Sequence, residues 1–537
     1  MTALRTKVVV AVSLALLAAG ACTQGGANNR STGFLTEKTG GMQAGAWSGT
    51  SLATAKQLVS GLPAAPRSRA LRDLQFQVMV SQLAPPAADG SPPPSLFDRK
   101  VDRLAAMGEG ESLNEMVRTA GDYDDPAIAA IVTNAMMMAG EQDGACAVAD
   151  HHTLAEPFGR RARIACMLVR GDRDGATAEI AALRGSDPSF ASLVEVAAKT
   201  QAPAALPAGP TGDGLSDGPA MVLYHLAHVA PPASLQSTTR PPLIRALVGQ
   251  SALPMATRID IAERGEALAI IDAARLADLY VDALRQNAPL PPAMERRARL
   301  VAAARKAADP QELADAVRAV YGETQGSPLF PTVARASATA LLNLPPKPEY
   351  ADLAQEAIRG LLLLGDKQRA KAWTQLALQA AFNNARARNG LDRLMPLIEI
   401  AGVDNAPKLA PEDVNRWYDV LRQDDPGAAA LRGSLLLALF RGLGFDIPPG
   451  STNLPENPPS GSRLVMPSAA MLQALQAAGA GHRRAETSLL ASDAIGETSL
   501  AALHPAALGV VVRALRQAGE EGAARLFAVE AAIAYGL

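Results

Sequence analysis

The chain has 537 residues, 48% of them hydrophobic but only 4% aromatic, so its apolar mass is mainly alanine, leucine and valine. That length exceeds one compact core and implies several domains or an elongated stack, while the shortage of aromatic rings argues against a stacking platform for sugars or single-stranded nucleic acid. With 51 basic residues against 53 acidic ones, the charge gives no reason to expect nucleic acid or an anionic membrane surface as partner.

Arg5 and Lys7 precede an apolar run over residues 8–19, broken only by Ser13 and followed by Gly20, Ala21 and Cys22. Such a run is too short to span a bilayer as a permanent helix and suits the core of a signal peptide over residues 1–21. Leu17, Ala18, Ala19, Gly20, Ala21 and Cys22 resemble a bacterial lipobox, in which cleavage exposes Cys22 for lipid attachment. Ala19, Gly20 and Ala21 also satisfy an ordinary small-x-small cleavage rule, and that alternative leaves a soluble periplasmic or secreted protein. Residues 22–48 are rich in Gly, Asn, Ser and Thr without periodicity and read as a flexible tether.

An α-helical repeat body is expected over 49–444. A helical pair over 50–83 would bury Leu71, Leu74, Val78 and Leu83, and a proline-rich stretch over 84–94 breaks it. Helices resume near 95–106 and 112–120. Asp125 before Pro126 then gives the start signal for a helix that carries Met136, Met137 and Met138 as core filler.

Residues 125–190 say nearly the same thing twice. One copy has Gly140, Ala145 and Pro157, the next Gly171, Ala176 and Pro188, each pair of counterparts 31 residues apart. A glycine after an apolar periodic run can take the left-handed conformation that ends a helix, and the acidic residue after it suits the first turn of the next. Alanine then permits close approach of the two helices, and proline ends the unit. The turn recurs at Gly365 and Ala370 and at Gly519 and Ala524, with a looser echo over 479–485. Leu353, Ala354, Ala357, Ile358 and Leu361 form a helical stripe before Gly365, and Ala370, Trp373, Ala377 and Ala380 form one after it. Around Gly519 the stripes are Leu508, Val511, Val512 and Leu515, then Ala524, Phe527, Ala528 and Ala531. Each hairpin has an apolar face that a neighbouring hairpin must cover.

This pattern resembles the tetratricopeptide repeat, whose turn reads Gly-Asp-x-x-x-Ala with a closing proline. The resemblance covers about a quarter of the chain strictly, without the family's early tryptophan and with a shorter period. It implies an all-α, TPR-like α-solenoid of helical hairpins. Pro/Gly-rich interruptions fall at 202–218, 289–292 and 345–348. Six prolines mark 445–467 as a linker to C-terminal helical hairpins over 468–537. No convincing strand is present, and the section 221–441 can continue the superhelix or pack as a globular bundle.

Cys146 lies near the start of one repeat's second helix and Cys166 near the end of the following repeat's first. Antiparallel neighbours bring those ends together, so the pair reads either as a disulfide or as two buried thiols. His151 and His152 between them fit no zinc spacing, and His225 and His228, three apart on an expected helix, have no acidic partner at helical spacing. No metal site, cofactor or catalytic residue is therefore expected. There is no His-Glu-x-x-His, Gly-x-Ser-x-Gly or Walker A motif, and Glu356, Glu399, Glu486 and Glu497 sit in ordinary helical contexts. The expected function is a non-catalytic envelope scaffold or assembly factor, facing the periplasm from the outer membrane. It would bind an envelope protein or peptide through its helical-repeat surface, with the Cys22 lipid as membrane anchor. The alternative is a peptidoglycan-active enzyme or activator whose superhelix positions a glycan.

Overall fold

The computed structural model describes residues 33–199, 215–306, 309–447 and 450–537. The signal segment and Cys22 lie outside them. The described chain is all-α, with 27 α-helices and only isolated bridges in place of strands. Helices pack in series on their sequence neighbours, as Pro126–Ala139 does on Gln142–His151, that helix on Phe158–Val169, and that one on Arg173–Ser186. The series runs on from Pro241–Val248 through Met255–Ala267, Ala273–Arg285 and Pro292–Arg305 to Pro310–Thr324. The middle section thus continues the α-solenoid, although helices from Pro241–Val248 to Pro292–Arg305 share a core of their own around Ile259, Leu276 and Tyr280.

The repeated turns sit where helices reverse. Gly140, Gly171, Gly365 and Gly519 have φ of 87°, 82°, 72° and 90°, with nothing near the place a Cβ would occupy. Glycine is needed there for its backbone freedom and not for space. The glycine N–H and the next N–H close the turn in the same way each time, as Gly365 N to Leu362 O and Asp366 N to Leu361 O. Ala145, Ala176, Ala370 and Ala524 are fully buried. The acidic residue is the cap itself, one position before the first turn. Asp172 and Asp366 accept from Gly175 N and Arg369 N, whereas Glu141 and Glu520 make no such bond, because the longer glutamate carboxylate does not fold back onto its own helix. Pro188 begins the helix Pro188–Lys199 and Pro157 immediately precedes Phe158–Val169, so these prolines open the next helix.

The looser echo is out of register with the others. Gly479 and Gly481 are not left-handed; His482 is, with φ 54°, and its N–H bonds to Gly479 O. The small residue five positions on is Thr487, also fully buried.

Long-range contacts fold the series back on its start. The helix Arg69–Val80 packs against both Arg484–Ile495 and Glu521–Ala534. Thr50 donates to Glu486 at 2.8 Å, Ser492 to Gln75 at 3.0 Å, and Ala65 N to Glu497 at 3.3 Å. Glu530 accepts from Ser68 Oγ and Ala70 N, placing a carboxylate from one end of the chain on the N-terminus of a helix near the other. The stretch read as a tether joins this closure from residue 33 onward. Met42, Ala46 and Trp47 are buried, Phe34 N bonds to Val80 O, and Ala84 N to Ala44 O.

The Pro/Gly-rich stretch 445–467 does not keep its flanks apart. Pro426–Leu443 makes the most extensive helix pairing in the molecule, with Pro505–Gln517. A Cβ at Gly442 would stand 2.6 Å from Gly509 O, and one at Gly509 2.6 Å from Ala438 O. Only glycine allows the two backbones this close. Along the stretch, Leu454 is buried, Arg441 pairs with Glu456, and Asn453 N bonds to Asn415 Oδ1 at 2.6 Å.

Closure carries a pH signature. Burial raises the Glu530 carboxyl from 4.5 to about 6, against the opposing pull of Ser68 and Arg335. Because the folded state holds this proton more tightly than the unfolded chain, the contribution is fully present below about pH 4.5 and is lost as pH rises through about 6. Glu530→Gln is expected to remove that slope in denaturant unfolding between pH 4.5 and 7. An unchanged difference between variant and wild type across this range would contradict it.

Candidate binding face and its arginine pocket

Six separated segments converge on a cavity of about 420 Å³. Gln355 and Arg359 come from Ala354–Leu363, and Arg386, Asn389, Gly390 and Arg393 from Ala385–Ala401. Trp417 and Leu421 come from Pro411–Asp424, Arg432 from Pro426–Leu443, with Gln325, Gly536 and Leu537 completing the wall. Four arginines line it and no acidic side chain does.

Three of the four guanidiniums are each held differently. Arg393 pairs with Asp424 at 2.6 Å, and Arg432 Nε donates to Tyr535 O at 3.0 Å. Arg359 Nε donates to Leu537 O at 3.2 Å, but its buried Nη1 has no hydrogen-bond partner. Burial pulls the Arg359 guanidinium below the usual arginine range, with Glu356 opposing. Burial likewise raises the Glu356 carboxyl, with Arg359 opposing. Gly390 keeps the pocket open to Gln355, since a Cβ there would stand 2.0 Å from Gln355 Nε2.

Beside this pocket the surface is apolar and basic. Phe382 is 79% exposed and Leu378, one turn earlier on Lys367–Asn383, is 36% exposed. Arg388 donates to Ala381 O and Phe382 O, holding the turn that leads to Arg386 and the pocket. Between Asp366 and Asp392 the charged residues are Lys367, Arg369, Lys371, Arg386 and Arg388, all basic, with Arg369 paired to Asp366. An exposed ring beside arginines can serve as an anchor for a pocket on a partner protein.

Comparison with protein-family models, curated proteins and solved structures gave no match. The functional reading therefore rests on this chain's own residues.

Apart from Glu356, which stands near Arg359, the residues singled out from sequence lie elsewhere. Cys146 and Cys166 are joined in a disulfide with Cα atoms 5.5 Å apart, linking Gln142–His151 to Phe158–Val169. His152 stacks on Tyr123 at 4.6 Å. His225 lies in the last turn of the Gly218–Leu226 helix and His228 takes φ 51° beyond it, so the two do not share a helix face. Among the described residues no group of three or more His, Cys, Asp or Glu side chains is placed to hold a metal ion. Glu486 and Glu497 belong to the closure described above. A second cavity, of about 440 Å³, lies behind the Gly140 turn and is walled by Met137, Met138, Met221 and Ile271 with His225, Arg245 and Arg275.

Sequence reasoning missed Arg359 and Phe382. Arg359 stands in a regular helix beside the stripe that was read correctly as core. Phe382 looked like one more apolar residue near a helix end. The arginine density after residue 384 was the available signal.

Proposed function

We propose that this chain is a non-catalytic scaffold or assembly factor of the bacterial envelope, exported and anchored by a lipid on Cys22 to the outer membrane, facing the periplasm. The observation that carries the binding role is the exposed ridge of Leu378 and Phe382 set among basic residues. Its charge fits an acidic segment of a partner protein that places an apolar side chain against Phe382. The short leader and Cys22 support export and anchoring. The Cys146–Cys166 disulfide suits an oxidising compartment. Among the described residues no helix is long and apolar enough to cross a membrane.

Crosslinking in intact envelopes, with Cys22→Ala alongside, tests this reading. The expected result is one protein complex in the membrane fraction for the wild type, with the variant released from membranes and the complex lost. A variant that stays with the membrane and keeps the same partner would refute the anchor. Recovery of glycan fragments alone would refute the scaffold.

A further inference from the structure

We propose that the arginine pocket is a binding site for a small oxyanion-bearing ligand, whose carboxylate or phosphate oxygens are met by the guanidiniums that line it. This stands apart from the scaffold reading, because a small ligand can fill the pocket whether or not the Phe382 ridge takes a protein.

Three observations converge. Four arginines reach one cavity whose lining has no acidic side chain, an arrangement that repels cations and attracts anions. Arg393 already has Asp424 and Arg432 has Tyr535 O, so those two are partly satisfied and firmly placed. Arg359 donates from Nε to Leu537 O, and its Nη1 is buried without a partner. A buried guanidinium N–H with no acceptor carries the full desolvation penalty, and the planar fork that ends in it matches two oxygens of a carboxylate or phosphate.

The rest of the lining suits a small molecule and not a bare ion. Gln325, Gln355 and Asn389 add amide groups that can donate to further oxygens. Trp417 and Leu421 offer an apolar wall for a carbon skeleton. Trp417 is fixed there by its indole N–H, which donates to Arg393 O at 3.3 Å. A volume of about 420 Å³ falls in the range of small-molecule pockets.

Titration calorimetry and thermal shift of the purified chain decide the matter, with inorganic phosphate, pyrophosphate and succinate as probes and sodium chloride at matched ionic strength as control. The expected result is a saturable rise in Tm with at least one oxyanion and none with chloride. Preference for phosphate or pyrophosphate assigns a phosphorylated ligand, and preference for succinate a carboxylate. Arg359→Gln is expected to weaken binding by about tenfold or more. Arg432→Gln serves as the second variant, so that a folding defect in one leaves the other to decide. Absence of saturable binding by all three probes would overturn the proposal. So would undiminished binding in whichever of the two variants folds.

Discussion

Replacing Glu266 by alanine is expected to cost about 3–5 kcal/mol of stability, the range for breaking a buried ion pair by removing one partner. The Glu266 side chain is fully buried. It accepts from Arg69 Nη2 at 2.8 Å, and from Arg335 Nε at 2.7 Å and Nη2 at 2.9 Å. It therefore ties Arg69–Val80 to Met255–Ala267 and Phe330–Ala336. Burial alone would raise its carboxyl pKa, but Arg335 and Arg69 outweigh burial and hold it below the ordinary value of 4.5. Stability from this group is present above the unfolded pKa and is lost as pH falls through the lower folded one. That sign is opposite to the Glu530 contribution. Urea unfolding at neutral pH would read the loss, and Glu266→Gln should lose less because it keeps the shape and some hydrogen bonds. A loss below about 1 kcal/mol for the alanine variant would mean the two guanidiniums find other acceptors, and that this junction does not hold the fold.

Removing the Cys146–Cys166 bridge is expected to cost about 3 kcal/mol, from the loop it closes in the unfolded chain. The two cysteines are 20 residues apart in sequence and both are buried between adjacent helices. The double Cys→Ala variant leaves two small cavities, which add a modest amount to the loss. The effect is local, so it is read best as increased hydrogen exchange over residues 126–186, with wild type plus reductant matching the variant. Equal protection in oxidised, reduced and variant protein would contradict it. Non-reducing peptide mapping supplies the direct check on the bond.

What could be read in the sequence was what depends on near neighbours. Gly140 and Ala145 encode a turn within six residues, and the left-handed glycine with its buried alanine recurs at all four strict copies. The looser copy was misregistered because His482 does a job that glycine does elsewhere, and nothing in its chemistry announces a positive φ. The cysteines were legible as a pair because the repeat places them on adjacent helices. Closure was not legible. Glu530 meets Ser68, and Glu486 meets Thr50, across more than 400 residues, and each looks like an ordinary polar position on its own helix. The proline-rich stretch 445–467 looked like a divider because composition records backbone freedom. It does not record that Gly442 and Gly509 let the flanking helices meet. The pocket was invisible for the same reason: its six segments run from Gln325 to Leu537.

We propose that this helical-repeat body binds an acidic partner protein at the Phe382 ridge. The most direct test places a photo-crosslinking amino acid at position 382, and at the exposed Glu312 as control, in the full chain in intact cells. The partner is then titrated in purified form against wild type and Phe382→Asp. The account predicts one protein crosslinked from 382 and not from 312, with the crosslink mapping to an acidic segment. It also predicts that Phe382→Asp weakens the purified interaction by about tenfold or more. The same products from both positions, or equal binding by wild type and Phe382→Asp, would contradict it.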